Sequence, residues 1–325
     1  MIKVSGRFLI TGGTGSLGKA TLIRANQEGW DADFIIFSRD ETKQGSLRKE
    51  FPQYRYFLGD VAKYSDIDDV VRGTKPDAIL HYAAYKQVPA AQNNVNATIA
   101  TNVQGSQNVV RAALAHNVKQ VIASSTDKAC QCVNAYGAAK NLMECIFQDA
   151  NKWNSQLSTF NLARYGNVVS SNSSVIPFFK QQIKAGGPVT ITDFRMVRFW
   201  ISLWQAVELI LEAGCADPGV IVVPKAPIMN ILDVAKYLIR EADKEEKIEI
   251  KDIGIRPGEK IHECMVSEAE SFHTIDKGKY FHIYPPNAGV FNPSAPFSYT
   301  TENADRQLTD KQMAELIRKS KELGS

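Results

Sequence analysis

The sequence predicts an α/β fold: a doubly wound parallel sheet with helices on both faces, followed by a smaller C-terminal α/β annex. Three observations predict it. Short apolar runs alternate with amphipathic stretches of helical length through the first 170 residues, the pattern of βαβ units and a parallel sheet. A glycine-rich loop stands between the first apolar run and the first helical stretch. After about residue 170 the alternation loosens, and Pro177, Gly186-Gly187-Pro188, Pro218-Gly219, Pro224 and Pro227 punctuate shorter elements.

Taken in order, Phe8–Ile10 reads as the first strand and Ser16–Glu28 as the helix after it. Phe34–Phe37 is a second buried strand, followed by the charged segment Asp40–Glu50. Tyr54–Leu58 is the third strand, Asp66–Arg72 a helix and Ala78–Tyr82 the fourth strand. One long helix is expected from about Ala91 to His116, ahead of strand five at Gln120–Ser124. Asn134–Lys152 reads as a helix, Ser158–Ala163 as strand six, and Gly219–Val223 as a return strand that rejoins the sheet. The dense charge run Asp243–Lys251 reads as a solvated face.

With 325 residues, 44% hydrophobic and 22% charged, the chain has enough apolar material for a large core, which excludes disorder and a disulfide-stapled mini-fold. Its 38 Lys+Arg against 35 Asp+Glu leave a net charge of +3, too weak a field to recruit nucleic acid. Five cysteines (Cys130, Cys132, Cys145, Cys215, Cys264) are an odd, sparse set, read as reduced thiols. Cys130 and Cys132 lack a second Cys/His pair at zinc-site spacing, so no metal is expected. No apolar run approaches the ~20 residues of a membrane helix. The N-terminal apolar stretch leads straight into the glycine loop, unlike a signal peptide. A soluble, cytoplasmic protein is expected.

The loop Thr11-Gly12-Gly13-Thr14-Gly15-Ser16-Leu17-Gly18 has a G-x-x-G-x-x-G spacing. Its first glycine permits a tight turn, its second lets backbone approach a pyrophosphate, and its third lets helix pack on strand. The helix N-terminus adds unpaired N–H groups and a positive dipole end. Placed strand–loop–helix, this is a Rossmann-like dinucleotide site. At the end of strand two, where NAD binders usually carry an acid, the chain has Ser38-Arg39 and only then Asp40, with Lys43 beyond. A guanidinium there can fork onto a 2′-phosphate, so NADP is favoured over NAD. Asp60, followed by Val61, can reach the adenine amino group after strand three. Tyr82, Ala83, Ala84 and Lys86 after strand four, and Asn102, complete the expected cofactor set.

Tyr136 and Lys140 form a Tyr-x-x-x-Lys pair, four residues apart on one helix face. A nearby ammonium lowers the phenol pKa from about 10 toward working pH. The pair opens the helix after strand five, at the carboxyl edge where a parallel sheet meets its ligand. Thr126, Asp127 and Lys128 lie at the same edge. Thr126 is placed to bond a substrate oxygen. An acid beside an amine suits an elimination, with neutral Lys128 removing a proton and protonated Asp127 donating to the leaving hydroxyl. Each would act from its minority charge state, which burial and neighbours must tune.

These features occur in one order with Arg164-Tyr-Gly-Asn-Val168, Arg195-Met-Val-Arg-Phe-Trp200 and Arg256-Pro-Gly-Glu-Lys260. Together they resemble the extended short-chain dehydrogenase/reductases, and within them the inverting UDP-N-acetylglucosamine 4,6-dehydratases of the polysaccharide-biosynthesis branch. The resemblance runs from residue 7 to about 268. It implies that Tyr136 with Lys140 takes the C4 hydroxyl proton as hydride leaves, that Asp127 and Lys128 handle the C6 hydroxyl and the C5 proton, and that hydride returns to C6. Lys86 and Asn167 match substrate-contacting positions, Arg198 and Arg256 are clamps for the UDP diphosphate, and Val175 and Glu259 join the substrate set. A homo-oligomer, hexamer or dimer, is implied. On this reading residues 1–170 bind NADP and residues 171–325 bind the UDP-sugar, with about 197–225 returning to the first domain.

The chain departs from the family pattern at Ala129-Cys-Gln-Cys-Val-Asn134, where relatives have an Asn-Pro step; Cys130 and Cys132 read as packing substitutions. Ser170–Ser174 replaces a Gly-Ser-Arg-Gly segment, and Tyr82 and Tyr85 are bulkier than usual near the cofactor. A UDP-sugar 4-epimerase, a C5-retaining dehydratase and an NADP-sensing regulator are the alternatives. Simple epimerases need no Asp-Lys pair, and regulators tend to have lost the tyrosine or lysine.

Overall fold

The computed structural model describes residues 4–153, 157–169, 171, 174–245, 247–294 and 296–322. The first apolar runs become β1 (Ser5–Thr11), β2 (Asp31–Ser38) and β3 (Arg55–Leu58), joined by α1 (Ser16–Glu28) and α2 (Glu41–Glu50). After α3 (Tyr64–Thr74) the chain crosses back to β4 (Ala78–His81) on the other side of β1. The connection to β5 (Gln120–Thr126) holds α4 (Val88–Asn93), α5 (Val95–Thr98), a π-helical turn at Ile99–Gln104 and α6 (Gly105–Ala115). α7 (Ala135–Ala150) then leads to β6 (Thr159–Tyr165).

These strands are parallel in the order β3-β2-β1-β4-β5-β6. The strand order reverses between β1 and β4, and such a switch point opens a ligand crevice at the strands' carboxyl ends. One face of the sheet buries Val70, Val109 and Phe147 from α3, α6 and α7. The other buries Leu22 and Leu47 from α1 and α2. Strands apolar on both faces are what a parallel sheet covered on both sides requires.

The single helix expected over Ala91–His116 is interrupted. Asn94 leaves helical geometry (φ −134°, ψ 59°), and its side-chain amide donates to the Ala90 carbonyl at 2.9 Å. Such side-chain-to-backbone bonds let asparagine compete with the helix. Pro89 in the first turn moves the start back to Val88.

Beyond β6 come β7 (Asn167–Val168), α8 (Val175–Lys184), β8 (Val189–Ile191) and β9 (Val197–Ile201). α9 (Leu203–Cys215) packs on β5 and β6, and β10 (Ile221–Pro224) adds to β6 in parallel as the return strand. β9 instead pairs with β7 and with β11 (Ile228–Asn230) in a separate three-stranded sheet. Within 197–225 the chain therefore rejoins the main layer only from α9 onward. α10 (Ile231–Glu241), β12 (Ile250–Asp252), β13 (Cys264–Val266) and α11 (Glu268–Ser271) follow. The hairpin of β14 (Thr274–Asp276) and β15 (Tyr280–Ile283) closes the sheet edge beside β10. β16 (Tyr299–Thr300) pairs with β13, and α12 (Asp310–Glu322) ends the described chain. The annex has its own core around Phe179, Trp200, Leu238 and Leu316.

A buried ion triad ties annex to sheet. Arg164, at the end of β6, reaches Glu144 on α7 and Glu270 on α11, each at 2.6 Å, and the Met265 carbonyl at 2.8 Å. Among the described residues no helix is long and apolar enough to cross a membrane.

Candidate active site

The glycine loop forms because β1 must turn back on itself beneath the β4 exit. Gly12 has φ +67°, and a Cβ there would lie 2.7 Å from the Ala83 nitrogen, so only glycine fits. α1 follows Gly15, which gives no side-chain cap, and has no acid in its first turn, so its positive dipole end suits an anion. A cleft of about 520 Å³ opens over this end. Gly12, Thr14, Gly15, Ser16, Leu17 and Gly18 form its floor. Ser38, Arg39, Asp40, Lys43, Asp60 and Val61 line one end, and Tyr82, Ala83, Ala84 and Lys86 one wall.

Arg39 pairs with Asp60 at 3.3 Å. Asp40 caps α2, accepting from the Lys43 N–H at 2.9 Å, and pairs with the Lys43 ammonium at 3.0 Å. Asn102, expected at the cofactor, lies one layer back from the cleft. Its buried amide clasps the backbone of Tyr85, accepting from N–H at 2.7 Å and donating to the carbonyl at 3.1 Å. His81 sits between Thr11 (2.7 Å) and Ser106 (3.1 Å). Burial pulls its pKa down to about 3, so it stays neutral.

The other end of the cleft carries Thr126, Lys128, Tyr136 and Lys140. Asn134 caps α7, accepting from the Gly137 N–H at 2.8 Å, while its amide donates to the Gly258 carbonyl at 2.8 Å. A Cβ on Gly137 would fall 2.2 Å from the Lys128 carbonyl oxygen, so the first turn of α7 lies directly on the Asp127–Ala129 turn. Asp127 is fully buried and lines neither cleft. Its Oδ1 accepts from the Thr126 hydroxyl at 2.9 Å and from Lys128 Nζ at 3.1 Å, while Oδ2 has no partner. Lys128 Nζ also lies 3.2 Å from Glu263. Lys140 Nζ donates to the Ser124 carbonyl at 2.6 Å.

Burial dominates the titration of these groups. It pushes the Tyr136 phenol up to about 12, against the opposing pull of Lys128 and of a hydrogen bond with Thr126. It brings the Lys140 ammonium down to about 8. The expected depression of the phenol by Lys140 is thus replaced: the cation acting on Tyr136 is Lys128. Burial and then Glu263 outweigh Lys128's attraction and raise Asp127. Burial disfavours the Lys128 ammonium, but the Asp127 and Glu263 carboxylates outweigh it and hold the pKa above the ordinary range.

A second cleft, of about 850 Å³, shares Lys86, Lys128, Val168 and Ser171 with the first. The two clefts therefore meet at Lys128. Asn167, Val175, Arg198, Arg256 and Glu259 line the second. Arg198 differs from the expected phosphate clamp. Its Nη atoms donate to the carbonyls of Val197 (2.8 Å), Ile261 (2.9 Å) and Lys260 (2.8 Å) and to Met196 Sδ (3.3 Å), and its Nε faces Glu263 at 3.7 Å. Its donors are committed to the loop. Arg256 is exposed at the rim. Of Ser170–Ser174, residues 170, 172 and 173 lie outside the described residues. Cys130 is buried with its Sγ 3.3 Å from that of Cys264, whereas Cys132 is exposed and packs no core. Among the described residues no group of three or more His, Cys, Asp or Glu could hold a metal ion.

Sequence reasoning missed Glu263 and Asn134. The signal available for Glu263 was its place three residues after Lys260, and for Asn134 its cap position just before Tyr136.

The family model described as "Polysaccharide biosynthesis protein" matches residues 8–285. This chain belongs to that family. It is 40% identical over 331 residues to the UDP-N-acetylglucosamine 4,6-dehydratase (inverting) of Campylobacter jejuni subsp. jejuni serotype O:2, covering 95% of this chain and 96% of the relative. It is 41% identical over 283 residues to the UDP-glucose 4-epimerase of Rickettsia bellii, covering 85% and 82%. The X-ray structure of Pen from Bacillus thuringiensis superposes with a TM-score of 0.89 at 33% identity, covering 98% of each chain. The family match spans both clefts and every strand of the main sheet.

Proposed function

We propose that this protein is a UDP-N-acetylglucosamine 4,6-dehydratase that inverts C5 and makes a UDP-4-keto-6-deoxy-HexNAc for surface glycan biosynthesis. The observation that carries this reading is the placement of Lys128, at the meeting of the two clefts and paired with buried Asp127. A 4-epimerase needs the tyrosine and lysine but no acid–amine pair. Similarity to the Campylobacter dehydratase over nearly the whole chain supports the same reading.

The first cleft fits a nicotinamide dinucleotide, with a glycine cradle that a Cβ would fill and an uncapped helix end for the pyrophosphate. Arg39 and Lys43 at the far end support NADP over NAD. When bound, the nicotinamide supplies a hydride acceptor at C4 and a hydride donor at C6. Residues 1–170 hold the cofactor, and residues 171–325 hold the UDP-sugar, with α9 and β10 folded back onto the sheet. Lys86, Asn167, Val175 and Glu259 line the sugar nucleotide, and Arg256 meets the diphosphate.

Tyr136, with Lys140, takes the C4 hydroxyl proton, and Thr126 bonds the same region of the substrate. A C4 carbonyl makes the C5 proton acidic. One proton passes from Lys128 to Asp127, giving a neutral amine and a neutral acid. The amine removes the C5 proton, and the buried acid protonates the departing C6 hydroxyl as water through the Thr126 hydroxyl, which lines the cleft and bonds Asp127 at 2.9 Å. Reprotonation on the opposite face inverts C5. Exposed Val95, Ile99 and Leu142 on neighbouring helices support a homo-oligomer, dimer or hexamer.

Incubation with UDP-N-acetylglucosamine in D₂O tests the reading. The expected product is the 4-keto-6-deoxy sugar of L-arabino configuration, with deuterium at C5 by NMR. UDP-N-acetylgalactosamine as sole product would establish the epimerase instead. A C5-retained product overturns inversion, and no turnover at all leaves the NADP-sensing regulator.

A further inference from the structure

Glu263 is a buried carboxylate that the steps above do not use. Its side chain is 2% exposed, yet three cations converge on it: Lys128 Nζ at 3.2 Å, Lys260 Nζ at 3.3 Å and Arg198 Nε at 3.7 Å. Its backbone is fixed at the head of β13. The N–H donates to the Thr301 hydroxyl at 3.0 Å, and the carbonyl accepts from the Thr301 N–H at 2.9 Å.

Two of the three cations are engaged elsewhere. Lys260 also donates to the carbonyls of Cys130 (3.0 Å) and Gln131 (3.3 Å), and Arg198 is tied to the carbonyls of Val197, Lys260 and Ile261. Lys128 is different, because its other partner is Asp127 and it faces both clefts. A lysine ends in a flexible four-carbon stem with many accessible rotamers. One carboxylate restrains the distance of its ammonium, and two on separate elements restrain its position.

We propose that Glu263 is a positioning residue for dehydration: it holds the Lys128 amine against Asp127 at the meeting of the two clefts, from the position just before β13 rather than from the end of β5. This rests on the dehydratase reading. The charged and titratable groups that face the pair are Asp127 and Lys128 from the end of β5, Arg198 from β9, Lys260 from the loop before β13, and Tyr136 from α7. Removing the Glu263 charge takes an anion away from both members of the dyad. The amine gives up its proton more readily and Asp127 takes one less readily, so both limbs of the pH profile move to lower pH.

The test compares wild type with Glu263→Gln, which keeps the shape and loses the charge. The readouts are kcat and KM for dehydration, the pH profile of kcat, and single-turnover reduction of the bound nicotinamide by C4 oxidation. Expected is a kcat lower by roughly 10- to 100-fold, a share of the about 10²–10⁴-fold that positioned proton transfer supplies. KM stays within about threefold, both pH limbs shift down, C4 oxidation persists, and Glu263→Asp recovers part of kcat. If Glu263→Gln does not bind cofactor, the double variant Glu263→Gln/Lys260→Met, which removes one surplus cation, carries the same comparison. Wild-type kcat and profile in the variant, a loss confined to KM, or parallel loss of C4 oxidation and dehydration overturns the proposal alone. A wild type that only epimerises overturns the dehydratase reading and this proposal with it.

Discussion

Lys140 offers a direct test of how burial shapes the site. Its ammonium is 3% exposed, and burial brings its pKa from 10.5 down to about 8. That difference amounts to about 3 kcal/mol of stability withheld while both folded and unfolded chains carry the proton. Below pH 8 the full penalty applies. Between about 8 and 10.5 the folded protein has lost the proton while the unfolded chain keeps it, so stability rises with pH. Above 10.5 the penalty is gone. Lys140→Met fills a similar volume without charge and removes the penalty at every pH, but it forfeits the bond to the Ser124 carbonyl, at about 1–2 kcal/mol. The variant should therefore be more stable than wild type by roughly 1–2 kcal/mol near neutrality and less stable by a similar amount at the alkaline end. Urea unfolding of both proteins across this range measures the gap, with groups common to both cancelling. A gap that does not change with pH, or a variant already weaker at neutrality, refutes the reasoning. Dehydration should be lost in the variant throughout.

Lys128→Ala should abolish formation of the 4-keto-6-deoxy sugar while cofactor binding, followed by fluorescence titration, stays at wild-type strength; full activity would remove Lys128 from the mechanism. Gly137→Ala places a Cβ 2.2 Å from the Lys128 carbonyl, an overpacking of about 1–3 kcal/mol. It should also depress kcat at temperatures where circular dichroism shows the protein fully folded, because the displaced turn carries the amine. Arg39→Ala should weaken NADP by about tenfold or more, the scale of a lost charged hydrogen bond, and leave NAD within about threefold. Equal losses for both cofactors would show that Arg39 does not read the 2′-phosphate.

The central sheet was legible because its signals are local. Ser16–Glu28 is a helix with the bounds the sequence suggests, and the strand runs at Phe8, Phe34, Ala78 and Gln120 all become parallel neighbours. The break at Asn94 was not legible, since it depends on one side chain capturing the Ala90 carbonyl inside an otherwise helical pattern. The small sheet of β7, β9 and β11 was equally hidden: its strands have two to five residues, too short to show a period. In the site, Tyr136, Lys140, Thr126 and Lys128 announced themselves by spacing. Glu263 did not, because its meaning comes from Lys128 and Arg198, which reach it from distant parts of the chain. The commitment of Arg198 to carbonyls was hidden for the same reason, since an arginine in a motif reads alike whether it binds phosphate or backbone.

The dyad poses a protonation problem that its geometry resolves. The proposed elimination needs a neutral amine and a neutral acid, each a minority state for a lysine and an aspartate in water. Two carboxylates lie within reach of the Lys128 ammonium, and they are not equivalent. Burial raises the Glu263 pKa, but Lys128, Arg198 and Lys260 outweigh it and hold the carboxyl below its ordinary range. Asp127 is biased the other way, raised by burial. A proton leaving Lys128 therefore settles on Asp127, across the 3.1 Å bond that joins them. That single transfer makes both minority states at once, without a proton entering or leaving the cleft.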